Sequence, residues 1–267
     1  MRSPIPIAGV ILALALGGCA QPLFPGWSDI ERTWATAVVA LPALSADASL
    51  VSTMDSPEMA RRLALLADGE SLPVVVYMHG CTGIGNLDFM RSLADEGFAV
   101  VAPNSFARSF RPLQCDPETK TGGFNVFVYD FRLTEISFAL EKLWSAEWAD
   151  WSRMVLAGAS EGAVAVALYR GDEFNGRVIA QWTCNGAPLV AGIDAPINEP
   201  IFTVVGADDP WYDDLADGEK REDCSKYFRG RPGSRSEIIY RPDTHNIFGN
   251  AAMVESMVSF LVAAANR

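Results

Sequence analysis

Three residue types that together activate a hydroxyl stand far apart in this chain: Ser160 within Gly158-Ala-Ser-Glu-Gly162, an aspartate at 208 or 209, and His245. A serine hydroxyl is a poor nucleophile at neutral pH. It needs a base to take its proton and a carboxylate to hold that base. Met154–Leu156 is a short apolar run and Ala163–Tyr169 an apolar stretch, so the G-x-S-x-G pattern falls where a buried strand turns sharply into a helix. Glycines flank the serine where a tight reversal leaves little room for side chains. The turn lifts the hydroxyl over the helix start, where free N–H groups and the positive dipole end favour developing negative charge.

The chain has two histidines, His79 and His245. His79 ends a strand ahead of a glycine turn, well before the serine. His245 closes Arg241-Pro-Asp-Thr-His245, a loop able to hang an imidazole over the sheet edge, and is the expected base. Ile201-Phe-Thr-Val-Val-Gly-Ala-Asp-Asp-Pro210 puts Asp208 and Asp209 where a buried strand meets a turn. Such an aspartate by itself is an ordinary turn residue. Beside the other two it completes the order Ser, Asp, His.

These groups need a sheet to carry them. Leu72–His79 and Phe98–Ala102 read as buried strands separated by a helix over Leu87–Glu96, which is the signature of parallel pairing. Pro57–Ala67 reads as a helix with proline in its first turn. Val128–Ser145 is a periodic helix with Phe131, Ile136, Leu140 and Leu143 near one face. Val178–Trp182, Pro200–Val205 and Ile238–Tyr240 follow as strands and Met253–Ala265 as a closing helix. Asn104–Asn125 shows no clear element and reads as a long excursion over the sheet edge. The expected architecture is a mostly parallel α/β sandwich.

At 267 residues and 49% hydrophobic composition the chain can bury one large core. Its net charge of −12 is spread without a basic patch, which argues against nucleic acid as a partner. Residues 1–18 read as a signal peptide: Arg2 gives a positive start and Ile5–Leu16 a short apolar region, too short to span a bilayer. Leu16-Gly-Gly-Cys19 resembles a bacterial lipobox, with Cys19 as the lipidated residue and the bacterial envelope as destination, periplasmic and anchored to the outer membrane. Residues 19–52 are expected to form a tether with some extended structure, Trp34–Leu41 beginning the domain as an edge strand, and 53–267 the catalytic domain. Export leaves Cys81, Cys115, Cys184 and Cys224 in an oxidising compartment, where four cysteines allow three pairings or none.

Met78-His-Gly-Cys-Thr-Gly83, Gly97-Phe-Ala-Val-Val-Ala-Pro103 with Ser105-Phe106, Gly158-Ala-Ser-Glu-Gly162, Gly206-Ala-Asp-Asp209 and Thr244-His245 together resemble the dienelactone-hydrolase-like group of α/β-hydrolases, from about Pro73 to the C-terminus. The resemblance implies the α/β-hydrolase fold, with a mostly parallel central sheet flanked by helices on both faces. It selects Asp209 over Asp208 as the acid, and it implies disulfides Cys81–Cys115 and Cys184–Cys224. Two departures limit it: Ser160 replaces the cysteine of the namesake enzymes, so their dienelactone substrate is not carried over, and Asn104 stands where many relatives have aspartate.

On that fold the oxyanion hole is expected from the backbone N–H groups of Glu161 and Cys81. Arg108 and Arg111 are candidates for orienting a substrate carboxylate, set against the reading of solvated loop charges. Trp211 and Tyr212 are candidates for walling the acyl pocket, set against packing under their own loop. No metal or organic cofactor is expected, because clustered histidines and carboxylates are lacking. The expected function is a serine hydrolase acting on a small-molecule carboxylic ester through an acyl-enzyme. The alternatives are a peptidase or acyltransferase on the same scaffold, or a catalytically silent binding lipoprotein.

Overall fold

The computed structural model describes residues 28–44, 48–67, 69, 71–212, 223–240 and 245–267. The expected signal peptide, Cys19 and the first part of the tether lie outside the described residues.

Among the described residues, ten strands and six α-helices follow in order: α1 (Asp29–Ala35), β1 (Val38–Leu41), β2 (Leu50–Thr53), α2 (Pro57–Ala67), β3 (Leu72–Met78), α3 (Leu87–Asp95), β4 (Ala99–Ala102), β5 (Cys115–Asp116), β6 (Thr121–Gly122), α4 (Phe127–Trp144), β7 (Ala149–Ala159), α5 (Glu161–Leu168), β8 (Arg177–Ala180), β9 (Ile201–Gly206), β10 (Arg235–Ile239) and α6 (Ala251–Ala265). Eight of the strands form one sheet in the order β10-β9-β8-β7-β3-β4-β1-β2, with β5 and β6 pairing separately. The six strands from β10 to β4 run parallel, and β1 joins β4 and β2 antiparallel.

Both sheet faces are covered, which is why the buried runs Val74–Met78 and Met154–Ala157 are apolar without interruption. Along β3, Val74, Val76 and Met78 enter the core beneath α2, α4 and α5, whereas Val75 and Tyr77 enter the core beneath α3 and α6. Strand β7 alternates likewise, with Met154 and Leu156 to one side and Val155 and Ala157 to the other. Among the described residues no helix is long and apolar enough to cross a membrane.

The N-terminal part departs from expectation. Ser28 and Glu31 form a reciprocal capping box that starts α1, so residues 29–35 are helical. Strand β1 is not an edge strand; it lies between β4 and β2, and the edge belongs to β2. The domain therefore reaches back at least to Ser28, into the stretch expected as tether. The excursion from Asn104 to Asn125 also has structure: Ser105–Ala107 makes a turn of 3-10 helix, and β5 and β6 form a small antiparallel ladder.

Candidate active site

Strand β7 ends at Ala159 and α5 starts at Glu161, leaving Ser160 alone in the turn with φ 53° and ψ −116°. That conformation is strained for a residue with a side chain and exposes the hydroxyl at the top of the sheet. The flanking glycines are forced by contact. A Cβ on Gly158 would lie 2.7 Å from the backbone of Gly162, and a Cβ on Gly162 would lie 2.1 Å from the carbonyl oxygen of Met78. Helix α5 thus crosses β7 and β3 too closely for any other residue.

His245 follows a loop whose residues 241–244 lie outside the described set. Its Nδ1 is 2.7 Å from Asp209 Oδ2, and its ring lies against Trp211 with centroids 5.1 Å apart. Asp209 is buried just past β9, and its second oxygen accepts the backbone N–H of Trp211 at 3.0 Å. Asp208 is exposed. The His245 carbonyl accepts hydrogen bonds from the Gln181 amide and from the backbone N–H of Ile247, which fixes the residue at its own backbone. Ser160 and His245 border one cavity of about 330 Å³, together with Cys81, Lys120, Trp211 and Asn246. Held this way, the imidazole donates from Nδ1 to the Asp209 carboxylate, and among the described residues its Nε2 has no hydrogen-bond partner.

On the other side of the serine the turn after β3 is held from behind. A Cβ added at Gly80 would lie 3.6 Å from the Ser160 Cβ, and the Gly80 carbonyl accepts the backbone N–H of Gly83 at 3.3 Å and faces His79 Nδ1 at 2.7 Å. His79 Nε2 accepts from the backbone N–H of Ser105 at 3.1 Å and from Arg132 at 3.0 Å, so the ring proton resides on Nδ1. Burial, and then the Arg132 charge, holds the His79 pKa well below the ordinary histidine value. A neutral, enclosed imidazole of this kind is a structural donor, which separates its role from that of His245. Because a peptide unit is planar, fixing the Gly80 carbonyl also aims the Cys81 N–H. Among the described residues neither the Cys81 nor the Glu161 amide N–H has a protein acceptor.

The long excursion is fastened at this point. Cys81 and Cys115 form a disulfide with Cα atoms 6.0 Å apart, and Cys184 and Cys224 form a second at 5.1 Å. Both are the pairs implied by the sequence resemblance, and they fit an oxidising compartment. Trp211 and Tyr212 both line the space beside Ser160, and the Tyr212 hydroxyl donates to the Gln181 carbonyl at 2.7 Å.

Arg108 and Arg111 have other tasks than meeting a substrate carboxylate. Arg108 pairs with Glu135 at 2.7 Å and with Asp29 at 3.4 Å, and Arg111 pairs with the Glu161 carboxylate at 2.6 Å while lying over the Phe106 ring. Both guanidinium groups are almost fully enclosed, so neither is a solvated loop charge. They belong to a buried network that sequence reading missed, in which Arg132 joins Glu135 at 3.1 Å and Glu161 at 3.7 Å. Its signal was present: Arg132 and Glu135 stand one turn apart on the same buried face of α4 as Val128, Ile136 and Leu140. Charges on a stripe otherwise bound for the core must be paired there. Among the described residues no group of three or more His, Cys, Asp or Glu side chains is arranged to hold a metal ion.

No protein-family model matches the chain, and no curated protein sequence does. Solved structures are similar to it. A candidate dienelactone hydrolase of Klebsiella pneumoniae superposes with a TM-score of 0.51 at 17% identity, over 74% of this chain and 88% of that one. A phospholipase/carboxylesterase of Dyadobacter fermentans does so with a TM-score of 0.49 at 16% identity, over 74% and 92%. A hyperthermophilic esterase of Pyrobaculum calidifontis gives 0.47 at 16%, over 74% and 78%. At 17% identity the likeness to the first of these establishes architecture and carries no substrate with it.

Proposed function

Because this chain has the α/β-hydrolase fold, we propose that it is a serine hydrolase cleaving a small-molecule carboxylic ester through an acyl-enzyme. Ser160 Oγ attacks the ester carbonyl carbon while its proton passes to His245 Nε2. Asp209 keeps the imidazole in the Nδ1–H tautomer and stabilises it when charged. The carbonyl oxygen, now anionic, is received by the N–H groups of Cys81 and Glu161. On collapse the leaving oxygen takes the proton from His245, and water then repeats the sequence to release the acid. The observation that supports this best is the 2.7 Å Asp209–His245 pair beside the same cavity as the strained Ser160.

Export is part of the same proposal: the two disulfides suit an oxidising compartment, and Cys19 is the proposed site of lipid attachment to the outer membrane. Incubation with a fluorophosphonate probe and a p-nitrophenyl ester series, with wild type and Ser160→Ala side by side, tests the chemistry. Labelling and turnover are expected in wild type alone, with the variant slower by at least about a thousandfold. Equal rates in the two proteins end the assignment, and an unlabelled wild type without turnover favours a binding role.

A further inference from the structure

The excursion between β4 and α4 turns its side chains the wrong way round for a surface loop. From position 105 to 114 the exposed residues are Phe106, Ser109, Phe110 and Leu113, while Arg108 and Arg111 are turned inward to Glu135 and Glu161. Phe124 and Phe127 continue the apolar character on the return of the chain, where the Phe124 N–H donates to the Gln114 carbonyl at 3.3 Å. These five apolar side chains are between 47% and 72% exposed, and they are five of the eleven large hydrophobic side chains left exposed among the described residues. Single apolar side chains on a surface need no explanation; a concentration of them between positions 106 and 127 does. Enclosing two guanidinium groups costs desolvation, and exposing phenylalanine and leucine in their place gains nothing from water.

The first described helix starts at this same face. The Ser109 N–H donates to Asp29 Oδ1 at 2.7 Å and Arg32 Nε donates to the Ala107 carbonyl at 3.0 Å, so α1 is fastened to the stretch between Phe106 and Phe110. Cys19, the proposed acylation site on which this inference rests, stands nine positions before Ser28. Whatever their arrangement, nine residue steps span at most about 30 Å. An acyl chain on Cys19 therefore keeps the bilayer within that reach of the start of α1, beside the exposed aromatic face. Tethering at such range makes contact with the bilayer an intramolecular event, whereas a second copy of the chain has to be recruited from solution. Apolar side chains with no exposed charge between positions 105 and 114 suit the boundary between headgroups and acyl chains.

We infer that the exposed face formed by Phe106, Phe110, Leu113, Phe124 and Phe127 docks on the bilayer to which Cys19 is attached.

The thiol introduced by Phe110→Cys is the single free one in the acylated chain, because two disulfides occupy Cys81, Cys115, Cys184 and Cys224. An NBD fluorophore on it is compared with one at Glu255→Cys, an exposed site on α6, which covers the opposite face of the sheet. Leu113→Cys gives a second label on the patch if Phe110→Cys does not fold. The full acylated protein is reconstituted in vesicles of phosphatidylethanolamine and phosphatidylglycerol, with and without nitroxide-bearing lipid. Quenching at least about threefold stronger at position 110 than at 255 is expected, since an interfacial apolar face sits about 5–10 Å into the headgroup and acyl boundary. Leu113→Ser/Phe127→Ser should bring the quenching at position 110 down severalfold. Equal quenching at the two sites, in chains shown by mass spectrometry to be acylated at Cys19, overturns the inference and leaves the anchor standing; residues 20–27 or a second copy would then be the cover. Quenching at position 110 unmoved in the folded double-serine variant also overturns it. A chain found without acyl groups removes the anchor and this inference together, and leaves the Ser160 assignment untouched.

Discussion

His79 donates its Nδ1 proton to the carbonyl of Gly80 across 2.7 Å, and the same peptide unit carries the Cys81 N–H on its opposite edge. His79 is therefore a positioning residue for a donor it does not itself supply. Replacing it with leucine frees the Gly80 carbonyl, and kcat should fall about a hundredfold while KM changes little, as expected for an interaction that matters in the transition state. His79→Asn, whose amide nitrogen reaches the same place, should recover part of the loss. Steady-state kinetics on p-nitrophenyl acetate separate the two parameters; a leucine variant with undiminished kcat would refute the assignment.

The same histidine makes stability depend on pH. Its folded pKa lies well below 6.5, by burial first and the Arg132 charge second, so below pH 6.5 the unfolded chain binds a proton that the native one refuses. Stability contributed by the neutral ring is complete above that value and is lost as the pH falls. The slope approaches one proton, about 1.4 kcal/mol per pH unit. Urea unfolding should therefore give a lower midpoint at pH 5.5 than at pH 7.5, and His79→Asn should flatten the difference. An equally steep change in that variant would assign the effect to other groups.

Asp209→Asn should lower kcat about ten-thousandfold with little change in the fold, because asparagine cannot hold the imidazole in the required tautomer. Asp208→Asn, at an exposed position, should leave kcat within a factor of about two. The contrast between neighbours is the readout, and reversed effects would move the acid to Asp208.

The two disulfides close spans of 34 and 40 residues, for which the chain-entropy estimate is about 4 kcal/mol each. Paired serine substitutions at either bridge should lower the thermal midpoint by several degrees. Only the bridge containing Cys81 bears on a candidate oxyanion donor, so Cys81→Ser/Cys115→Ser should lose more kcat than stability alone explains. Assays well below the melting temperature of both variants distinguish the two bridges.

Much of this architecture was legible because strands buried on both faces are largely apolar: Leu72–Met78 and Ile201–Gly206, where Thr203 alone carries a polar side chain, announce themselves. Ser160 stood out as a candidate for a related reason, since it follows the strand β7 and occupies a tight turn between glycines. What escaped was what lacks a pattern of that kind. Helix α1 spans only two turns, its Ser28/Glu31 box being the sole sign, and β1 gives no hint that β2 will cover it. The network of Arg111, Arg132, Glu135 and Glu161 escaped because charges separated in sequence reveal their pairing only after α4, α5 and the excursion are packed together.

With Met78 only 2.1 Å from where a side chain on Gly162 would begin, and Gly162 itself 2.7 Å from one on Gly158, two positions of the turn are closed to variation. Laboratory evolution toward new substrates would find no route through them. Diversity would have to enter around Gly122, Ala187 and Trp211, which line the space beside Ser160. A saturation library would show this as two blank columns beside a tolerant border.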